Sequence, residues 1–257
     1  MKKIEEVALK AAQKSSKNLI KIYKKFNRNH IKMKSAHEIV SYADLLSEKI
    51  IISEIKKEFP NHHILSEEKG DNQKKSDYTW IIDPIDGTTN FTMKNPLWAI
   101  SIGVLYKNKI IFGLIHAPIL NETYKASINK GAFLNSKRIK VSNIKSKKVI
   151  NTFCHGSNIK SIERAVKYYT QQKLKNFDCR QLGSASIELA YVASGRIESI
   201  VIPGAHSWDV AAGTIIVNEA GGKVTDFKNK KWNIKSEDLI ASNRLVHPQI
   251  IKILKNV

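Results

Sequence analysis

The sequence predicts a layered α/β protein on three grounds. An N-terminal segment carries apolar residues at helical period, short apolar runs bounded by turn residues fill the middle, and helix and strand patterns alternate beyond residue 150. Ile4, Val7, Ala8, Ala11, Leu19, Ile22, Tyr23 and Phe26 fall near one face, so residues 3–26 read as an amphipathic helix with most of its lysines on the other side. A second helix starts near Ser41, where Ser41-Tyr-Ala-Asp44 matches a capping box. It carries Leu45, Ile51, Ile52, Ile55 and Phe59 and stops at Pro60. The run Trp80–Ile82 leads into Asp83 as a buried strand, and Ala99–Tyr106 and Ile110–His116 flank Lys107-Asn-Lys109 as a hairpin. Thr123–Ser127 adds a strand, and Gly131-Ala-Phe133 with Asn135-Ser-Lys137 marks a turn. Residues 142–148 are the most linker-like stretch, separating an α+β half of about 1–142 from an α/β half of about 143–257 within one unit. Beyond it, Ile162–Gln171 and Ser184–Ala193 read as helices and Ile197–Ile202 as a strand. Val210–Ala220 reads as a helix closed by Gly221-Gly222.

Composition narrows the function classes. A chain of 257 residues with 42% hydrophobic content can bury roughly 70–75% of its unfolded surface, which excludes general disorder. No apolar run nears the roughly 20 residues of a membrane span, and Glu5, Glu6 and Lys10 interrupt any signal-peptide core, so a cytoplasmic protein is expected. Cys154 and Cys179 stand alone, without metal-site spacing. The formal charge of +20 admits a nucleic-acid partner, but only six of the 43 basic residues are Arg, the side chain suited to bidentate contacts. A solvated, lysine-rich surface is the favoured reading.

Chemistry concentrates in Trp80-Ile-Ile-Asp-Pro-Ile-Asp-Gly-Thr-Thr-Asn-Phe91, where Asp83 and Asp86 end a buried-looking strand. Pro84 holds Asp83 extended, Gly87 permits a sharp turn, and Thr88 or Thr89 is placed to cap a following helix. Two carboxylates and a carbonyl such as that of Ile85 offer the oxygen ligands that hard divalent cations prefer. The helix start beyond Gly87 would turn its amides toward a phosphate. Glu67 and Asp209 are further acidic candidates. Taken singly, Glu67 reads as surface charge, Asp209 as a helix cap, and Asp83 with Asp86 as either a structural turn or a metal site.

In combination these segments carry a resemblance. Ser66-Glu-Glu68, Asp83-Pro-Ile-Asp-Gly-Thr-Thr-Asn-Phe91, Trp208-Asp-Val-Ala-Ala-Gly213 and Glu219-Ala-Gly-Gly222 closely resemble the inositol monophosphatase family of magnesium-dependent phosphomonoesterases. The likeness spans nearly the whole chain, reaching Lys130-Gly-Ala-Phe-Leu-Asn135, Gly183-Ser-Ala185 and Ala241-Ser-Asn243. It implies an αβαβα sandwich, a homodimer, lithium sensitivity and a site holding two or three Mg²⁺. By the same resemblance, Glu67, Asp83 and the Ile85 carbonyl hold the ion that activates water, and Asp83, Asp86 and Asp209 hold the ion that stabilises the leaving alkoxide. Thr88, backed by Asp44, orients the nucleophile. Gly87, Thr88 and Thr89 bind phosphate, Gly183, Ser184 and Ala185 lie near the substrate's hydroxyls, and Lys34 lies near a third-metal region.

One position departs from the pattern. Inositol-cleaving members commonly carry an acidic residue six positions before the Trp-Asp pair, where this chain has Ile202. An aliphatic side chain accepts no hydroxyl hydrogen bond, so inositol phosphate itself is placed in doubt. The small phosphate monoesters handled by relatives include fructose 1,6-bisphosphate, 3′-phosphoadenosine 5′-phosphate, histidinol phosphate and NADP. The Thr-Thr-Asn-Phe91 ending looks more like the inositol and sugar phosphatases than the nucleotide branch. His206 reads as a surface-loop histidine. Between Ile64 and Met93, six acidic residues face three lysines, an acidic island in a basic protein.

Overall fold

The computed structural model describes residues 1–25, 32–33, 39–40, 42–145, 149–255 and 257. In chain order the elements are α1 (Lys2–Lys25), β1 (Lys32–Met33), β2 (Ile39–Val40), α2 (Tyr42–Glu58), β3 (His63–Ser66), β4 (Gly70–Asp71), β5 (Tyr78–Asp86), α3 (Thr88–Thr92), β6 (Ala99–Tyr106), β7 (Lys109–Ala117) and β8 (Glu122–Ser127). There follow β9 (Gly131–Leu134), β10 (Lys137–Ile139), β11 (Ile150–Phe153), α4 (Ile159–Leu174), β12 (Asp178–Arg180), α5 (Ala185–Ala193), β13 (Ser199–Pro203), α6 (Ser207–Glu219), β14 (Lys223–Thr225), β15 (Asp238–Ser242) and α7 (His247–Leu254).

Two large sheets organise these elements. One runs β10-β9-β8-β7-β6-β5-β3-β4, mostly antiparallel with β3 parallel to β5; the other runs β12-β11-β13-β15-β14, and β1 pairs with β2 alone. Helices α1 and α2 cover one face of the larger sheet, α5 and α6 lie between the sheets, and α4 and α7 cover the far face of the smaller one. The order is therefore α, β, α, β, α, as the family resemblance implies. The larger apolar clusters among the described residues fill the gaps: Trp80, Phe91 and Trp98 beneath α1 and α2, Leu189 and Ile216 between the sheets, and Tyr168 and Ile250 under α4 and α7.

The small-residue run Ala211-Ala-Gly213 has a packing reason. A Cβ on Gly113 of β7 would stand 2.4 Å from the Ala212 carbonyl, so α6 seats directly on bare backbone. Helices α1 and α2 are joined through polar groups. Glu54, buried on α2, accepts from Lys14 and Lys57 at 2.7 Å each and pairs with Lys10 at 3.3 Å; these lysines hold its carboxyl down to about 2 against burial. Ser15 donates to Ser47 at 2.8 Å.

Several boundaries differ from expectation. The helix expected from Val210 begins at Ser207, which brings Asp209 into its first turn; the strand expected over Ile197–Ile202 runs Ser199–Pro203; and the helix expected over Ile162–Gln171 runs Ile159–Leu174. Neither Thr88 nor Thr89 caps α3: Gly87 is the capping residue, with φ +91° and no side chain to offer. The turn read at residues 131–137 lies within a short hairpin of β9 and β10. The linker-like stretch is tied down at its start, where Ser142 donates to Glu198 at 2.8 Å and Asn243 donates to the Ser142 hydroxyl and the Ile144 carbonyl. Phe26, Lys34, Ser41 and residues 146–148 lie outside the described residues.

His116 of β7 ties the larger sheet to α1, with Nδ1 2.8 Å from the Thr123 hydroxyl and Nε2 3.2 Å from that of Ser16. Burial pushes it from 6.5 down to about 4, so the folded protein keeps it neutral while the unfolded chain takes up a proton near 6.5. Its contribution is whole above pH 6.5 and declines by about 2–3 kcal/mol as pH falls to 4. Melting temperatures recorded from pH 7.5 to 4.5 should fall less steeply in His116→Gln than in wild type; parallel curves would remove His116 from this acid sensitivity.

Candidate active site

The site is built on the end of β5. Residues three apart on a regular strand point to opposite faces. Here Asp83 pairs with Ser101 and Asp86 with Ala99, three residues against two, and the bulge that this makes brings both carboxylates toward one side. Asp83 accepts from its own Ile85 amide at 3.0 Å, closing a tight side-chain turn. Ser47 of α2 donates to the Pro84 carbonyl at 2.9 Å and fixes the bulge from behind.

Asp86 is gripped by the start of α5. Its carboxylate accepts from the Ser184 hydroxyl at 2.7 Å, the Ser186 amide at 2.5 Å, the Ala185 amide at 3.3 Å and the Ser186 hydroxyl. Burial pushes the Asp86 carboxyl up and these donors, with the positive end of the helix, hold it back. Gly87 follows at φ +91°, where a Cβ would lie 2.9 Å from the Leu97 carbonyl and 3.2 Å from that of Gly183. Asn90 donates to the Leu97 and Leu182 carbonyls at 2.7 and 2.8 Å, binding α3 to the segment that precedes α5.

Glu67 follows β3, on a loop held by a buried neighbour. Glu48 of α2 accepts from the Glu68 and Lys69 amides at 3.1 and 3.0 Å and from the Ser66 hydroxyl. Thr88 has the Asp44 carboxylate at 3.2 Å and the Ile85 carbonyl at 3.1 Å, two acceptors for one hydroxyl proton. Asp209, in the first turn of α6, accepts from the His206 amide at 3.3 Å. It thus caps the helix, as its position at the helix start suggests, and also lines the cavity.

These parts surround a cavity of about 510 Å³ walled by Glu67, Asp86, Gly87, Thr88, Thr89, Gly183, Ala185, Ile202 and Asp209, all singled out in the sequence. Asp44, Asp83, Ile85 and Ser184 are buried behind this wall. Asn90, Asn95, Cys154, His155, Gln181 and Leu182 also line it and were not foreseen; Asn90 lies inside the central motif, and Gln181-Leu182 directly precede Gly183. His206 is exposed and stacks on Trp208 at 4.8 Å, outside the wall.

Among the described residues the wall has no Lys or Arg. Burial first, then the charges of Glu67, Asp86, Asp209 and Asp44, pushes Asp83 well above the usual carboxylate range. No three acidic, His or Cys side chains among the described residues already stand as a closed ligand set. The donor set nevertheless suits a hard divalent cation: it is all oxygen, rich in carboxylates and backed by hydrogen-bonded loops.

The family model described as the inositol monophosphatase family matches residues 1–257. A fructose-1,6-bisphosphatase/inositol-1-monophosphatase of Thermotoga maritima is 40% identical over 220 residues, covering 86% of this chain and 84% of its own. Nus factor SuhB of Pasteurella multocida is 35% identical, covering 97% of this chain and 93% of its own. The crystal structure of the extragenic suppressor protein suhB of Bartonella henselae superposes with a TM-score of 0.92 at 31% identity, over 98% of each chain.

The crowding at Gly87 is testable without substrate. Gly87→Ala should lose about 1–3 kcal/mol in denaturant unfolding, from strained backbone and the clash with Leu97. An unchanged midpoint would show that the turn has room to give.

Proposed function

The chain belongs to the inositol monophosphatase family of phosphatases, and on that premise we propose that it is a Mg²⁺-dependent phosphomonoesterase acting on a small sugar or polyol phosphate. The observation that carries this reading is the gathering of Asp83, Glu67, Asp86, Asp209 and Asp44 around one cavity, where burial and mutual repulsion push Asp83 well above the usual carboxylate range. Glu67, Asp83 and the Ile85 carbonyl would hold one ion, and Asp83, Asp86 and Asp209 a second. When bound, such ions activate water, neutralise developing charge on the phosphoryl group and stabilise the leaving oxygen. The chain's own groups do the positioning. Thr88 orients the attacking water while Asp44 takes its hydroxyl proton as hydrogen-bond acceptor, and the amides of Gly87, Thr88 and Thr89 face the phosphate. The segment Gly183-Ser-Ala185 closes the substrate side.

The rest of the described wall has no Lys, Arg, Asp or Glu and is made by Asn90, Asn95, Cys154, His155, Gln181, Leu182 and Ile202. A wall of that kind suits a monoester whose far side is not recognised through charge. Fructose 1,6-bisphosphate is the main alternative, because the Thermotoga maritima relative carries that name; nucleotide 2′- or 3′-phosphates are another. Homodimerisation, lithium inhibition and a cytoplasmic location belong to the same proposal. Among the described residues no helix is long and apolar enough to cross a membrane. A second reading, association with RNA, is favoured by the +20 charge, and relatives named Nus factor SuhB keep it in view.

A phosphate-release screen over sugar, polyol and nucleotide phosphates, with and without Mg²⁺, tests the reading. Turnover should require the ion and fall by about a thousandfold or more in Asp83→Asn and Asp209→Asn; full activity in either variant would overturn the ligand assignment. RNA binding should vanish at physiological salt, and chelator-insensitive binding under those conditions would favour the second reading. Ile202→Glu should raise inositol phosphate turnover relative to the preferred substrate. No change would remove Ile202 as the source of specificity.

A further inference from the structure

Glu188 of α5 is fully buried, and no role in the chemistry above is assigned to it. Its Oε1 accepts from the Leu182 amide at 3.0 Å, the Gly183 amide at 3.1 Å and the Cys154 thiol at 3.1 Å. All three donors belong to residues that line the cavity. Leu182 is held from the other side by Asn90, which donates to its carbonyl at 2.8 Å, and the Gly183 carbonyl crowds Gly87. One carboxylate oxygen therefore fixes the substrate-side segment just ahead of the residues that grip Asp86. Among the described residues no Lys or Arg is bonded to it.

We propose that Glu188 is a positioning residue: its ionised carboxylate holds Leu182 and Gly183 in the cavity wall, and protonation loosens them. Protonation places a hydrogen on one oxygen and weakens the carboxyl as an acceptor, so the two amide bonds lose the strength that a charged acceptor gives. Burial raises Glu188 to about 7, partly opposed by the hydrogen bonds from Cys154, Leu182 and Gly183. Among the described residues the titratable groups beside it are the thiols of Cys154, raised well above its usual value, and Cys179, raised to about 12, both protonated at neutral pH, with the charges of Asp86 and Asp209 acting on Cys154 from the cavity side. The ionisation is therefore that of Glu188, in the range where an intracellular enzyme works.

The kinetic part of this inference rests on the phosphatase reading; the structural part does not. Two measurements on the full chain separate them: kcat and KM for the best phosphomonoester in the screen from pH 6 to 8.5, and amide exchange at Leu182 and Gly183, corrected for intrinsic rates. At pH 8, Glu188→Gln should raise KM about tenfold with kcat within about twofold, and protection at the two amides should fall about tenfold. Wild type should lose the same protection, and gain the same KM, below about pH 7, while the variant stays flat. Unchanged KM and protection in the variant would overturn the inference. Should Glu188→Gln not fold, equal protection of these amides in wild type at pH 6 and pH 8 overturns it instead. If wild type releases phosphate from no monoester, the phosphatase reading fails and amide protection alone decides the role of Glu188.

Discussion

Everything around the cavity answers one electrostatic constraint: Asp83 and Asp86 are buried on the same side of a strand end, within reach of three further carboxylates. An isolated buried carboxylate takes up a proton rather than remain charged, and five together resist ionisation more strongly. A fold can keep such a group only by surrounding it with donors or by leaving it for a cation. This chain divides the task. Asp86 is surrounded, with four donors from α5 that are each worth about 1.5–3 kcal/mol to a charged acceptor. Asp83 has one amide donor and is repelled by its neighbours, which makes it the group most in need of a cation.

Holding the carboxylates also joins the molecule. Asp86 lies on the larger sheet and its donors on a helix that packs against both sheets, so these bonds close the structure across the cavity. Two buried glutamates do comparable work on the loops. Glu48 gathers the amides after Ser66 and so presents Glu67, while Glu188 gathers those of Leu182 and Gly183 and so presents the substrate side. Neither touches the space where chemistry is proposed. Each acts by fixing backbone whose polar groups would otherwise be free to move away.

Much of this was legible in the sequence because the strand-turn motif at residues 80–91 is long and its chemistry local. Helix α1 was legible because its apolar residues repeat at helical period, the hairpin of β6 and β7 because two apolar runs flank a polar turn, and α6 because its apolar run closes at Gly221-Gly222. The bulge was not, since it shows only in the pairing of Asp83 and Asp86 with a distant strand. Strands β11, β12, β14 and β15 are three to five residues long, too short for a period to stand out. Glu48 and Glu188 were missed for a different reason. On α2 the buried face runs Asp44, Ser47, Glu48, Ile51, Glu54, Ile55, so acidic residues occupy positions that a hydrophobic pattern assigns to the core. Only their buried partners distinguish them from surface charge.

The net charge of +20 reads differently once the carboxylates are in place. Lysines make up most of the basic excess, while the described cavity wall has none. A positive excess draws anions inward, and the cluster binds them only once cations have offset its charge. The most direct measurement is an anomalous-difference map from crystals soaked in Mn²⁺, an oxygen-seeking stand-in for Mg²⁺. The account predicts peaks among Glu67, Asp83, Asp86 and Asp209. A map with no peak at these carboxylates, at a Mn²⁺ concentration that supports turnover, would contradict it.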